Sequence, residues 1–379
     1  MKNSYLPQQQ SEQTVTLLLE EDVKSRLKKI SPDIEYVILD ENYIIDGFAK
    51  KLNSLYKTIY SDIEYMNMHD KSISESSCHK LIIYKHGLLE HILLFKYDGK
   101  ARHIIILNHY FQMCIQDIET VRDIIFCDYK NVKKITFPYL YLEKVEKKSL
   151  MILYEQLNDW VVELPESMDL YMKSLSNKTR TNIRSYQKRI VKDYPDFKVS
   201  FYEGEDISLD QITRLVELHK GRMKTKEKKS DIDTAVCESL YQYARIRGVL
   251  CLCNINENII GGTLDWIFDD HVYGRLISHD NAYNNHHVGY IALTNSIQYM
   301  IEKNMKFHHF GFGDIDYKRR FLAVAHAIHD VIVFKNHMIF FLNSINYTIR
   351  SLIKATKKHL ENNEKLKRIY RKIRKLLNK

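Results

Sequence analysis

The sequence is short of the residues that punctuate or staple a chain. Twelve Gly and five Pro in 379 residues are too few for a collagen-like, repetitive or extended Pro/Gly-rich protein. None of the six Cys forms a CxxC pair. Cys78, Cys114, Cys127, Cys237, Cys251 and Cys253 are therefore expected as free thiols, with neither a disulfide framework nor a thiolate metal site. No apolar run reaches the length of a membrane span, and residues 331–345 are interrupted by Lys335, Asn336 and His337. Residues 1–20 carry a Pro and a Gln run before a short TVTLLL patch, unlike a secretion signal. A cytoplasmic protein is expected. Also missing are a G-x-S-x-G nucleophile elbow, a G-x-x-x-x-G-K-[ST] phosphate loop and a complete dinucleotide fingerprint, since GFGDID lacks its third Gly.

What is present points to a globular α/β chain. At 45% hydrophobic residues it can bury substantial cores, and its length favours two lobes. The net charge of +9 is localised. Residues 347–379 hold twelve Lys or Arg against two Glu, a surplus of ten that leaves the rest of the chain one negative.

Apolar periodicity predicts helices at 15–30, 41–59, 112–126, 174–190, 209–220, 234–247, 289–303 and 317–322. Short alternating or apolar runs predict strands at 36–39, 80–84, 91–97, 103–107, 134–137, 160–164, 198–202, 249–255, 259–268, 272–278, 307–312 and 329–334. Asp98-Gly99 signals a hairpin. Residues 1–34 are expected as a disordered or short helical lead, 35–165 and 166–337 as two lobes, and 338–379 as a basic amphipathic helical tail.

The organising stretch is FHHFGFGDIDYKRRF, from Phe307 to Phe321: a strand, a glycine turn and a helix start with Asp314 as cap candidate. With KTRTNIRSYQKRI (178–190), LVELHKGRM (215–223) and GGTL (261–264), it resembles the GNAT superfamily of acyl-CoA-dependent acyltransferases. The nearest branch is the BioF2-like or CelD-like acetyltransferases, relatives of the FemABX aminoacyl transferases. The resemblance covers about 179–335. It implies an α/β fold of tandem GNAT-like lobes with mixed, partly split central sheets, the first lobe a degenerate copy, followed by the basic tail. It implies acetyl-CoA or another acyl-CoA as cofactor and no metal. The sequence departs from the family at the phosphate loop. GNAT enzymes carry Gln/Arg-x-x-Gly-x-Gly/Ala where this chain reads Asn-Asn-His-His-Val-Gly-Tyr, and Val288 stands where the BioF2-like branch has Pro.

The chemistry needs backbone N–H groups for the cofactor phosphates, an uncharged amine and a proton for the departing sulfur. The start of the 289–303 helix supplies the first, with Val288, Gly289, Tyr290 and Ile291 as cofactor contacts and Gly289 permitting close approach. By resemblance Tyr317 is the acid, and Lys318 and Arg319 hold phosphate or an acidic acceptor. His279 and Asp280 lead the candidates for base, then Asp314, then Asp265, whose alternation with Trp266 leaves solvent exposure open. His219 and Arg222, with Gly262 and Asp265, are placed by resemblance in the acceptor pocket. Gly261-Gly262 is expected to allow a bulge. Arg180 and Arg184 face either an anionic ligand or solvent. His326 and His329 could share a helix face, but no donor set completes a metal site.

The expected function is transfer of an acetyl or short acyl group from acyl-CoA to the amine of a small molecule or saccharide, an amino sugar of a polysaccharide or cell-envelope precursor. Two alternatives stay open: FemABX-type aminoacyl transfer from charged tRNA, and a non-catalytic binding protein on a decayed transferase fold. For the tail, a neighbouring subunit, the body of the protein, an anionic membrane surface and nucleic acid compete. Sparse aromatics there argue against nucleic acid, tRNA in the alternative reading aside.

Overall fold

The computed structural model describes residues 25–70, 73–146 and 148–345. Most of the expected lead and most of the basic tail lie outside these. The elements run β1 (Lys28–Ser31), β2 (Ile34–Leu39), α1 (Phe48–Tyr56), α2 (Ile63–His69), β3 (His79–Lys85), β4 (Leu88–Asp98), β5 (His103–Ile106), β6 (Gln112–Met113), α3 (Ile115–Asp128), β7 (Lys134–Leu142) and β8 (Met151–Glu163). They continue with α4 (Met168–Ser174), α5 (Asn177–Asp193), β9 (Lys198–Glu203), α6 (Leu209–Thr225), α7 (Thr234–Arg247), β10 (Gly248–Ile255), β11 (Asn258–Phe268), β12 (His271–His279), α8 (Val288–Glu302), β13 (Phe307–Phe312), α9 (Asp316–Arg320) and β14 (Val324–Phe334). The strands join one mixed sheet in the order β1-β2-β3-β4-β5-β7-β14-β8-β13-β12-β11-β10-β9, with β6 pairing β7 off this path.

The sheet contains an internal duplication. In each half a two-residue turn with both residues at positive φ, His86-Gly87 and Asn256-Glu257, joins the hairpin β3–β4 or β10–β11. In each half one residue then bulges from the second strand, Glu90 beside His91 and Ile260 beside Gly261. A parallel unit follows, β5–α3–β7 or β12–α8–β13. Each is paired at three positions only, starting at His103↔Lys134 and at His271↔Phe307. The same imidazole bond recurs: His103 Nε2 lies 2.8 Å from Thr136 Oγ1, and His271 Nδ1 lies 2.8 Å from His309 Nε2. The fold is a tandem GNAT-like α/β fold.

The halves exchange their last strands. β8, which follows β7, pairs antiparallel with β13; β14, which follows β13, pairs antiparallel with β7; β8 and β14 pair with each other between them. Each half's sheet is thus completed by the other's chain. In the second half, alternating residues feed opposite faces. Leu250, Leu252, Leu264 and Trp266 pack with α6 and α7, while Cys253 and Ile260 pack under Val288 and Ile291 of α8.

A buried polar chain crosses the junction. His309 Nδ1 lies 2.5 Å from Asp159 Oδ2, which also accepts from the Tyr141 hydroxyl at 2.8 Å, and His271 bonds His309 from the other side. Burial, with the His309 charge adding, pushes His271 down to about 3; burial pushes His103 down to about 4. Unfolded histidines titrate near 6.5, so below that value the unfolded chain binds protons that the native state does not. Stability should fall as pH drops from about 6.5 toward about 3, by up to about 1.4 kcal/mol per pH unit for each such group. Calorimetric Tm across this range checks it. His271→Gln should flatten the slope, and an unchanged slope would show that the ring is not held neutral.

Several sequence expectations are corrected. The 15–30 helix ends in strand β1 where it is described. The 41–59 helix is only α1, because Gly47 and Lys57 bracket it in the left-handed region. Gln112–Met113 is a strand, and α3 starts at Ile115 under a Cys114/Asp117 capping box. The 174–190 helix starts later, at Asn177 under a Ser176 cap, because Ser174 ends α4. His326 and His329 lie on strand β14, not on a helix face.

Candidate functional site

The site is the split between β12 and β13. After Tyr273↔His309 the two strands part. Arg275 bulges from β12, with Leu264 opposite Leu276 and Asp265 opposite Gly274. β13 turns away through Gly311 and Gly313, at φ 69° and 93°. The wedge holds a cavity of about 100 Å³ lined by Thr263, Asp265, Arg275, Ile277, His308, Tyr317 and neighbours.

Asp265 is 2% exposed, so it faces the interior and not solvent. Its Oδ2 accepts from Thr263 Oγ1 at 2.8 Å and from Ser296 Oγ of α8 at 2.7 Å. Its Oδ1 stands 3.7 Å from His308 Nε2. His308 is fully buried, and among the described residues neither ring nitrogen has a hydrogen-bond partner. A buried polar group left open in this way asks for an explanation. Tyr317 closes the wedge from α9. Burial pushes its phenol up to about 12, against the opposing pull of Arg222. Arg222 reaches in from α6 and donates to the Ile277 carbonyl at 2.9 Å.

At the far end of β12 stands the N-terminus of α8. A Cβ on Gly261 would lie 2.6 Å from Val288 Cγ1, and one on Gly289 would lie 3.1 Å from His279 Nδ1. The missing side chains let strand, helix start and His279 converge. Val288 and Ile291 turn their side chains into the core, so only their backbone could meet a ligand. Tyr290 stays half-buried beside Arg320. First-turn N–H groups of a helix are natural anion donors; here Tyr290 and Ile291 donate theirs to the His287 carbonyl, at 2.8 and 3.3 Å. His279 is lowered by burial and then by the Arg222 charge, and it bonds Asn284 at 3.0 Å. In the first half, His91 takes the place of Gly261, and Glu90, His91 and Asp117 crowd the start of α3. Among the described residues this is the one group of three metal-type donors, and it lies away from the wedge.

Other expected site residues have structural work. Asp280 caps Ala282 at 3.0 Å. Asp314 does not cap α9, whose N-cap is Ile315; it pairs with Arg319 at 2.7 Å. Arg319 also lies over the Trp160 ring at 4.6 Å. Lys318 is 1% exposed and donates to the carbonyls of Gly311, Phe312 and Gly313 at 2.7–2.9 Å, so it shapes the loop from inside. Gly262 is a close-packing position: a Cβ there would lie 2.3 Å from the Cys251 carbonyl oxygen. Arg180 donates to the Met172 and Lys173 carbonyls that end α4. Arg184 lines an open basic groove with Lys188, Arg189 and Lys192. His219, half-buried on α6, is lowered by burial and by the neighbouring Arg222 charge.

The wedge thus brings together Tyr317, Asp265 and Arg222, with His219 and His279 at its margins. Sequence reading missed His308, Arg275 and Ser296. His308 and His309 are neighbours on β13, so their side chains diverge, His308 to the α8 side and His309 to the junction.

A split parallel pair with polar groups buried in its wedge and a helix start beside it is the arrangement of a GNAT-like fold. The chain belongs to the FemAB-like family, described as peptidoglycan biosynthesis/recognition, which matches residues 101–364. A crystal structure of FemX superposes with TM-score 0.57 at 10% identity, covering 80% of this chain and 99% of that one. A conserved protein of unknown function from Bacteroides thetaiotaomicron gives 0.49 at 11% identity, covering 79% and 99%. A tandem GNAT protein from the clavulanic acid biosynthesis pathway gives 0.41 at 7% identity, covering 80% and 99%. No curated protein matches the chain. Among the described residues no helix is long and apolar enough to cross a membrane.

Proposed function

We propose that the chain transfers an acetyl or other short acyl group from an acyl-CoA to the amine of a saccharide or small-molecule acceptor, as a BioF2-like or CelD-like N-acyltransferase of cell-envelope or polysaccharide synthesis. The observation that carries this is the wedge itself: an unpartnered buried imidazole, a protonated phenol and a carboxylate face one narrow cavity beside a helix start. When bound, the thioester supplies an activated carbonyl, so no protein nucleophile is needed. His308 takes the proton from the attacking amine, with the Asp265 carboxylate 3.7 Å from its Nε2. The amine nitrogen bonds to the carbonyl carbon, the C–S bond breaks, and Tyr317 hydrogen-bonds and protonates the leaving sulfur. Backbone N–H groups at the Arg275 bulge hold the oxyanion in this reading. The first turn of α8 holds phosphate.

Aminoacyl transfer from charged tRNA is the second reading, favoured by the family match and by the basic groove on α5, which could follow a phosphate backbone. Against it, no described helix between residues 179 and 335 exceeds 17 residues, so the long helical arm of many FemABX enzymes has no counterpart there. Calorimetry with acetyl-CoA and free CoA tests the donor. Binding on the order of micromolar is expected, abolished by Gly289→Asp and little changed by Tyr317→Phe. No binding of any CoA thioester would overturn the acyl-CoA reading and leave charged tRNA or a binding role.

A further inference from the structure

The described chain ends in a helix over 337–345 that carries large apolar residues on its exposed side. Met338, Phe341, Leu342 and Ile345 are 70%, 65%, 62% and 49% exposed. At 100° per residue they form one stripe about 100° wide. The opposite side, Ile339, Phe340 and Asn343, is half-buried, with Phe340 against Phe334 at 5.8 Å between ring centroids. Four large apolar side chains in one contiguous stripe mark a contact surface, whereas single exposed ones would be ordinary.

The sequence beyond states what kind of surface it meets. Beyond the described residues, Ile349, Leu352, Ile353 and Leu360 recur at helical spacing in the sequence. Between and after them stand the twelve Lys or Arg of residues 347–379, against two Glu. A second copy of the chain would bring the same surplus of ten positive charges against itself, which is repulsive. Polyanionic RNA would use the charge but leaves the apolar stripe unexplained. An anionic lipid surface satisfies both, since acyl chains take the stripe and headgroups take the cations.

We propose that this helix face, with the basic residues that follow it, docks the protein on an anionic membrane surface. It lies outside the β12–β13 wedge and depends on no assumption about the reaction, so it stands or falls separately from the transfer chemistry. Docking would hold the enzyme where lipid-linked, amine-bearing acceptors are found.

The test is flotation of the full chain with vesicles of phosphatidylglycerol and phosphatidylcholine, against phosphatidylcholine alone. Binding should require phosphatidylglycerol and weaken as salt screens the charge. The double variant Phe341→Glu, Leu342→Glu should bind about tenfold or more weakly. Both residues are solvent-exposed, so the fold should survive, which circular dichroism checks. Ile44→Glu, at a residue 65% exposed elsewhere, should bind as the parent does. Three outcomes overturn the proposal: no vesicle binding, binding that the double variant retains, or a dimer in sedimentation that the double variant dissociates.

Discussion

Replacing His308 with glutamine should slow acyl transfer by roughly two to three orders of magnitude, the usual loss on removing a general base. Donor affinity and folding should be preserved. The site is fully buried, and glutamine keeps polar atoms near Asp265 without supplying a base. Single-turnover rates against pH, with calorimetric donor affinity on the same samples, separate chemistry from binding. A loss of less than about threefold would move the base elsewhere, first to His279. Asp265→Asn should cost less, because the carboxylate stands 3.7 Å from the ring and does not touch the amine.

Lys318→Met should destabilise the protein by about 3 kcal/mol or more. The methionine roughly fills the volume but leaves the carbonyls of Gly311, Phe312 and Gly313 without their shared donor. Burial pushes Lys318 down to about 8, against the opposing pull of Asp159 and Asp314, so the ammonium still predominates at neutral pH. This loop sets where β13 leaves the sheet, so donor binding should weaken as well. Urea unfolding gives the stability change. A midpoint equal to that of the parent would mean that water satisfies the carbonyls and that Lys318 is available to a ligand after all.

The sequence reached the elements of the second half nearly residue by residue, because β10 to β13 and α8 are apolar runs bounded by turns. It did worse where tertiary contacts override local pattern. Residues 151–159 alternate weakly and carry no strand signal of their own, yet they are nine of the 13 residues of β8, held along their length by β14 and by β13 at Asp159. The first turns of β14, from Val324, were missed for the same reason. Lys318 and Arg319 looked like paired phosphate ligands. Only the packing of α9 turned one inward onto three carbonyls and the other onto Trp160.

By itself the sequence determined the class of fold, the strand-turn-helix around Gly311 and Gly313, and the candidacy of Tyr317, Asp265 and Arg222, because these rest on local periodicity, glycine chemistry and a family resemblance. The duplication, the exchange of β8 and β14, the burial of Asp265 and the isolation of His308 were decided by the tertiary structure. The two halves share register, turn geometry and bulge position but few side chains, so backbone hydrogen bonding preserves a repeat that the residue alphabet does not spell. A side chain's face in a strand is fixed by the register with its neighbours, and β13 takes its neighbours, β12 and β8, from opposite halves of the chain.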